Sequence, residues 1–162
     1  DSWMISYFKD ELGIDIFFKP KKFQINSKKF FIGHGDGLGP GDYGYKFLKL
    51  IFRNSFFKFL YSCIHPDISI RIGEFLSRKN SVISGKEIKF ESNEKELLYN
   101  FCKKILKSDH YHYFVFGHRH IPLKINLGNN SLYYNCGDWF NHYSYLDFSN
   151  SELTLKFFKP EI

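Results

Sequence analysis

The stretch Tyr113-Phe114-Val115-Phe116-Gly117-His118-Arg119-His120 decides the fold prediction, because it joins a short apolar run to a glycine and two histidines. Aromatic and β-branched residues favour a strand over 113–116, and Gly117 allows the backbone to turn sharply where that strand ends. With one residue between them, His118 and His120 emerge on the same side of the chain if the segment stays extended. Imidazole nitrogen is a common ligand of divalent transition metals, so this pair is a candidate for one shared metal or for two neighbouring metals.

A second histidine-bearing loop follows another predicted strand. The β-type run from Lys29 to Ile32 ends in Gly33-His34-Gly35-Asp36, which opens a glycine-rich loop. Bare backbone on both sides of His34 lets a ligand or a phosphate approach closely. Asp36 is expected to orient His34 or to cap the loop, with direct ligation as the alternative. Two strand ends that carry histidine indicate a metal site much more specifically than either one alone.

Hydrophobic periodicity places these two loops in a chain of mixed helices and strands. Helices are predicted over 2–12, 45–79 and 92–107. The first ends before Gly13, and the second is interrupted by a new helix start at His65-Pro66-Asp67. The inward face of the third comprises Leu97, Leu98, Phe101, Ile105 and Leu106. The predicted strands cover 14–18, 22–25, 29–32, 113–116, 123–127, 131–135, 143–148 and 153–158, with turns at 26–27, 128–130 and 149–150 and a polar loop at 80–90. This order indicates an α/β (α+β layered) sandwich with a helical insertion.

The composition allows one domain with a substantial core. The 162 residues are 43% hydrophobic, and their apolar runs are too short and too interrupted for a membrane-spanning helix. The net charge of +6 favours an anionic partner, but only four of the 23 basic residues are arginine, and an AT-rich codon bias would also produce so much lysine. The region 45–90 holds nine basic and three acidic residues, an excess of +6 that equals the charge of the whole chain. The charge alone assigns no partner, because nucleic acid, phosphate and a lipid surface are all anionic.

The remaining cysteines and histidines have less specific expected roles. The three cysteines lie far apart and form no CxxC pair, so each is expected to be a small buried residue in a reducing cytosol. His110 and His112 are expected at the surface or the core edge, and His65 in a helix-start turn. Asp138 is expected to close a turn rather than to bind metal, and nothing in its spacing requires His142 at the site.

Four stretches, in order along the chain, resemble the calcineurin-like metallophosphoesterases. They are GHGDGLGPGDYGYK from Gly33, HPD at 65–67 with a helix ending in FLSRK, FGHRHIPL from Phe116, and NCGDW from Asn135. The likeness extends to the lipid-directed branch of that family, which cleaves the pyrophosphate of a UDP-linked diacylglucosamine into UMP and a diacylglucosamine 1-phosphate (lipid X) in lipid A synthesis. The resemblance covers essentially the whole chain.

The resemblance implies that 1–162 is the C-terminal portion of a four-layer αββα sandwich with a two-metal site. Two divalent ions, expected to be Mn²⁺, would lie about 3.5–4 Å apart and activate a hydroxide for attack on phosphorus. His34 and His118 would bind one ion, and His120 the other. The family has a Gly-Asn-His-Asp block that is often followed by a Trp-Met pair. Asp1-Ser2-Trp3-Met4 resembles the part of this segment that comes after the histidine. The bridging aspartate and the acid histidine are therefore expected upstream of Asp1, and the piece alone is expected to be poorly soluble, to bind metal weakly and to be inactive.

The resemblance also implies a substrate surface on the insertion, 45–80. Asp42 and Tyr45 match family positions near the sugar or nucleotide, and Arg78 and Lys79 match basic substrate contacts. Two helices rich in Phe, Leu and Ile can form a groove for acyl chains, and the alternative is that these side chains only bury against one another. The expected partners are a glycolipid nucleotide and, peripherally, the cytoplasmic face of the bacterial inner membrane, with no nucleic acid.

Three other functions compete with this one. A generic calcineurin-like phosphoesterase acting on another phosphate ester would not need an apolar, basic insertion. A nucleic-acid-binding module would account for the +6 charge and 20% aromatic residues, but the aromatics follow core-like spacing and no RNA-binding signature is present. A non-catalytic remnant would account for the missing N-terminal ligands.

Overall fold

The computed structural model describes residues 5–38, 50–51, 54–84 and 96–159, and at 5–6 and 76–84 it describes the backbone alone. The helices with described bounds are α1 (Ile5–Asp10), α2 (Ser55–Ser62), α3 (Pro66–Ser84) and α4 (Leu97–Ile105). The strands are β1 (Lys21–Ile25), β2 (Lys28–Ile32), β3 (Tyr113–Phe116), β4 (Pro122–Gly128), β5 (Ser131–Cys136), β6 (Ser144–Ser149) and β7 (Glu152–Phe157). This mixture of helices and a multi-stranded sheet confirms the predicted α/β class.

Five of the strands form one sheet in the order β1-β2-β3-β5-β4. The central strands β2, β3 and β5 are parallel to one another, and β1 and β4 flank them as antiparallel edges. Because parallel strands share a direction, the carboxyl ends of β2, β3 and β5 meet at one edge, which is where α/β proteins usually bind ligands. Strands β6 and β7 pair as a separate two-stranded sheet.

The centre of the sheet is covered on both faces, which explains why β3 is a continuous apolar run rather than an alternating one. Successive residues of β2, β3 and β5 point to opposite faces, so that one set packs against α4 and the other against β6 and β7. The α4 side holds Phe31, Phe114, Phe116 and Tyr133, and the opposite side holds Phe30, Tyr113 and Tyr134. The described layers are therefore a helix, a five-stranded sheet and a two-stranded sheet.

Two-residue turns connect the antiparallel strands and fix their register. Asn26-Ser27, Asn129-Asn130 and Asn150-Ser151 have positive φ at both residues, between 46° and 63°. These dihedrals belong to type I′ hairpins, whose twist matches the twist of the flanking strands. The turns predicted at these three places are confirmed.

Two helix boundaries also follow their sequence signals. The predicted stop after α1 is confirmed, because Gly13 adopts a φ of 62° and the amide of Ile14 donates to the carbonyl of Phe8 at 2.8 Å. The predicted fresh start at 65–67 is confirmed as well. Pro66 is the first residue of α3, where its missing N–H leaves no hydrogen bond unmade.

Three predicted details are wrong. Residues 14–18 form no strand, because none of the described strands pairs with them. Residues 80–84 continue α3 instead of forming a loop, since Asn and Ser are weak helix formers but do not stop a helix that is already nucleated. Leu97 is 43% exposed, because the inward face of α4 is centred on Leu98 and Cys102, which lie one turn apart.

The apolar side chains of α2 and α3 are largely exposed. No residue of α2 is buried, and Phe56, Phe59 and Phe75 are 65%, 66% and 67% exposed. The expectation that these side chains only bury against one another is therefore wrong for the described residues. A short helix that is apolar on more than one face cannot bury all of it against a single neighbour. None of the described helices is both long enough and apolar enough to cross a bilayer.

The central position of Phe114 can be tested by truncation. Phe114 is fully buried, whereas Phe140 is 84% exposed. We expect Phe114→Ala to lower the free energy of unfolding by about 3–5 kcal/mol, through lost transfer energy and the cavity that remains. The matched variant Phe140→Ala should change it by less than about 0.5 kcal/mol in the same urea titration. Equal losses would mean that the core is not centred where the sheet places it.

Candidate metal centre

Each of the three parallel strands is followed by a glycine and then by a side chain that can bind metal. Gly33-His34 follows β2, Gly117-His118 follows β3, and Gly137-Asp138 follows β5. The shared direction of the strands brings all three pairs to the same edge of the sheet. The two predicted histidine loops are thus close in space, although they are distant in sequence. Along the same pair of strands, Lys29 and His112 are hydrogen-bonded across a separation of 83 residues.

The carbonyl of His34 joins the two histidine loops. It accepts hydrogen bonds from the amides of Gly117 and His118 at 3.0 and 2.9 Å, just past the last strand bond, in which Gly33 donates to Val115. With the backbones fixed in this way, the imidazoles of His34 and His118 lie edge to face, their ring centroids 5.3 Å apart and their planes at 72°. His34 is exposed and His118 is half-buried, so both rings can be reached from solvent.

The turn from Gly117 to His120 differs from the predicted extended segment. The amide of His120 donates to the carbonyl of Gly117 at 3.3 Å, and His120 has a φ of 54°. Strand alternation therefore does not place His118 and His120 on the same side, because β3 ends at Phe116 and the chain reverses. His120 is exposed at the end of this turn.

The described residues fit one part of a metal site. His34 and His118 can supply two nitrogen ligands, whereas Mn²⁺ usually takes about six, mostly oxygen. Within the described ranges, no three or more His, Cys, Asp or Glu side chains form a group that could hold an ion. The assignment of His34, His118 and His120 to two ions stays a prediction.

Gly35 leaves room for the His118 side chain. Its φ is 105°, and a Cβ placed there would lie 3.1 Å from Leu98 Cδ1 and 3.3 Å from the Cβ atoms of His118 and Phe116. Both the backbone angle and the surrounding contacts therefore require glycine. The sequence indicated this glycine as an approach for a ligand, and the structure shows that it also lets the two loops pack.

Cys136 is a nearby residue that sequence reasoning did not assign to the site. A Cβ placed on Gly117 would lie 3.4 Å from Cys136 Sγ and 3.9 Å from His34 Nδ1, so the thiol and the imidazole flank the same glycine. Burial raises the pKa of the Cys136 thiol. The protonated thiol is a poor metal ligand, because metals bind the thiolate.

Asp138 closes a turn, as predicted. Its Oδ1 accepts hydrogen bonds from the amides of Phe140, Asn141 and His142, at 3.0, 2.6 and 3.1 Å. Its Oδ2 lies 3.2 Å from the ring of His142. Desolvation alone would raise the pKa of Asp138, but the hydrogen bonds from Asn141 and His142 outweigh it and hold the pKa well below its ordinary value of 3.8. Both carboxylate oxygens of Asp138 therefore contact groups of the loop after β5.

An ion pair joins the histidine turn to the buried Glu96. Arg119, between the two histidines, places its Nε 3.2 Å from Oε2 of Glu96, whose side chain is only 2% exposed. No sequence pattern indicated this contact, since Glu96 lies outside every motif and 23 positions from Arg119. A local pattern cannot report a contact between a helix start and a distant turn.

The predicted substrate residues are placed only in part. Asp42 and Tyr45 lie outside the described residues, and Arg78 and Lys79 lie in α3 where the backbone alone is described. Asp36 is half-buried in the turn after β2, and its orienting role stays a prediction.

The remaining histidines lie where the sequence predicted them. His110 is exposed, and His112 is half-buried at the start of β3, where its Nδ1 accepts from the amide of Lys29 at 3.0 Å. His65 precedes α3, and its Nδ1 accepts from the amide of Asp67 at 3.4 Å. Of the three cysteines, Cys102 is buried as expected, whereas Cys63 is exposed because it follows α2, which buries nothing.

Substitution of Gly35 tests the packing of the two loops. Gly35→Ala adds a Cβ both at positive φ and against Leu98 and His118, whereas Gly128→Ala adds one at a φ of 83° with nothing within 4 Å. We expect Gly128→Ala to lower the free energy of unfolding by about 1–2 kcal/mol and Gly35→Ala by at least about 1 kcal/mol more. Only Gly35→Ala should shift the imidazole NMR signals of His34 and His118. Equal effects of the two variants would contradict the contact.

The depressed pKa of Asp138 predicts a pH-dependent contribution to stability. A carboxyl group with a lowered folded-state pKa stabilises the fold above its ordinary value of 3.8, and this contribution is lost as the pH falls from there towards the folded-state pKa. We expect Asp138→Asn to lower the free energy of unfolding by about 1–2 kcal/mol near pH 7, and the difference from wild type to shrink below about pH 4. Urea titrations across this range provide the measurement. Asp15→Asn, which removes the same charge from an exposed position, should show little effect at either pH.

Comparison with known proteins finds a similar enzyme but no matching family model. No family model matches the chain. The chain is 26% identical, over 170 residues, to the UDP-2,3-diacylglucosamine hydrolase of Porphyromonas gingivalis, in an alignment that covers 96% of this chain and 64% of that protein. The chain therefore spans less than two thirds of the length of this relative, and it is similar to it along nearly all of its own.

Proposed function

We propose that the protein to which this chain belongs is a metal-dependent hydrolase of UDP-2,3-diacylglucosamine. It would cleave the pyrophosphate bond to give UMP and 2,3-diacylglucosamine 1-phosphate (lipid X) in lipid A synthesis. The observation that carries the proposal is the pair of imidazoles of His34 and His118. They lie edge to face, with ring centroids 5.3 Å apart, where two parallel strands end together. Similarity to the Porphyromonas gingivalis hydrolase supports the choice of substrate.

The residues of this chain would hold and orient the reacting groups. His34 and His118 would bind one of two divalent ions, which we take to be Mn²⁺, and His120 would bind the other. When bound, such ions neutralise charge on phosphate oxygens and lower the pKa of water. The bare backbone of Gly33 and Gly35 lets a phosphate come close to the sheet edge. We place the bridging carboxylate and the acid histidine of the proposed site outside this chain.

The exposed apolar surface of α2 and α3 favours a lipid substrate over a generic phosphate ester. Phe56, Phe59 and Phe75 expose about two thirds of their surface, which a small water-soluble substrate would not require. The same insertion, 45–80, is basic, since it holds seven basic residues, including the exposed Arg71 of α3, against two acidic ones. We propose that this surface holds acyl chains and contacts the cytoplasmic face of the inner membrane, with anionic headgroups beside the basic residues.

We also propose a more detailed architecture for the domain. The domain 1–162 would be the C-terminal part of a four-layer αββα sandwich, in which β6 and β7 begin the second sheet and 45–80 is a lipid-binding insertion. Asp42 and Tyr45 would contact the sugar or the nucleotide, and Arg78 and Lys79 the charged part of the substrate. The described helix and two sheets are compatible with three of the four layers.

The full-length protein should release UMP from UDP-2,3-diacylglucosamine only with added Mn²⁺. We expect His118→Ala to reduce this rate by about 10²–10³-fold, because the proposed charge stabilisation at the phosphate would be lost. His110→Ala provides the matched control, since His110 is an exposed histidine at the opposite end of β3. Full activity of His118→Ala, or an equal loss in His110→Ala, would sink the assignment. Faster cleavage of a soluble aryl phosphodiester than of the lipid would favour a generic phosphoesterase.

A further inference from the structure

Four buried polar atoms around Tyr133 have no well-aligned hydrogen bond among the described residues. They are Glu96 Oε1, Arg119 Nε, Tyr133 Oη and Asn135 Nδ2. Glu96 is 3% exposed, and Tyr133 and Asn135 are fully buried. Buried polar atoms are nearly always satisfied in native proteins, so such a group of exceptions needs an explanation.

The carboxylate of Glu96 is directed at the turn and not at its own helix. Glu96 occupies the N-cap position of α4 with an extended backbone, φ −77° and ψ 109°, which is the conformation of a capping residue. Its side chain nevertheless makes no cap hydrogen bond, and Oε2 lies 3.2 Å from Arg119 Nε instead, close enough for an ion pair but not aligned as a hydrogen bond. The contact therefore ties the start of α4 to the segment between His118 and His120.

Stability alone does not explain this ion pair. The desolvation of a buried carboxylate can cost more than its ion-pair partner returns, and apolar residues of similar volume often stabilise such a position as well or better. The charge of Glu96 also acts on its surroundings. Burial and then this charge raise the pKa of Tyr133. The pair joins the start of α4 to the histidine turn, which gives it a role beyond stability.

We propose that Glu96 is a positioning residue for the candidate metal centre, acting through Arg119. The ion pair would fix the turn that presents His118 and His120, whose own closing hydrogen bond is long at 3.3 Å and whose φ at His120 is 54°. Residues behind the ligands of a metal site commonly set ligand orientation, and their loss lowers metal affinity about 10–100-fold. The inference rests on the proposed function, because it gives the turn a ligand role.

The test uses four variants of the full-length protein. Glu96→Gln removes the charge and keeps the shape. The double variant Glu96→Leu with Arg119→Met replaces the pair by apolar side chains, and it should melt at the wild-type temperature or above it. Asp147→Asn is the charge-matched control, because it breaks the ion pair of Asp147 with Lys156 at 2.5 Å on the β6–β7 hairpin. His118→Ala reports on the proposed function by itself.

Two measurements separate positioning from a structural role. In the metal-free protein, Glu96→Gln and the double variant should both shift the imidazole ¹⁵N signals of His118 and His120, whereas Asp147→Asn should not. Mn²⁺ affinity, followed by electron paramagnetic resonance of the free ion, should fall about 10–100-fold in the same two variants, even though the double variant keeps its melting temperature.

Unchanged histidine signals in Glu96→Gln and in the double variant would overturn the positioning role, whatever the metal does. So would wild-type Mn²⁺ affinity in both variants if His118→Ala abolishes binding. A wild-type protein that binds no Mn²⁺ would sink the proposed function, and with it the metal centre that Glu96 is proposed to serve. In that case the histidine signals would still report whether Glu96 holds the turn.

Discussion

The hydrogen bonds to the carbonyl of His34 determine the geometry of the candidate site. That oxygen accepts from the amides of Gly117 and His118 at once, so the loops after β2 and β3 share one acceptor and cannot move independently. Each bond contributes only about 0.5–1.5 kcal/mol net, but together they hold the two loops at one separation. The edge-to-face imidazoles follow from this arrangement, because backbones held at this separation place the two rings in contact.

Much of the fold could be predicted from the sequence, since its signals are local. The turns at Asn26-Ser27, Asn129-Asn130 and Asn150-Ser151 are made by side chains that tolerate positive φ, and they fix where each hairpin reverses. The glycines of the two histidine loops marked the strand ends correctly. The occurrence of histidine at two such strand ends indicated one shared site, and the family resemblance added the expected ligand roles.

The structural features that the sequence did not predict depend on contacts between residues far apart in the chain. Residues 14–18 have the composition of a strand, but no described strand pairs with them. The reversal at His120 depends on where β3 ends, which periodicity locates only to within a few residues. The ion pair of Glu96 with Arg119 joins the start of α4 to the turn after β3, and each partner alone reads as an ordinary surface charge.

The order of strands in the central sheet also has a consequence for the speed of folding. The three I′ hairpins close over two residues and should form in about 1–10 μs. The pairing of β2 with β3 instead joins segments such as Lys29 and His112, 83 residues apart, and closing a loop of that length costs about 4 kcal/mol of chain entropy. We therefore expect the hairpins to form before the parallel centre of the sheet does, and the histidine loops to meet in a late and slow step. Until that step, the apolar faces of β2 and β3 remain exposed, which makes aggregation a competitor of folding in this chain.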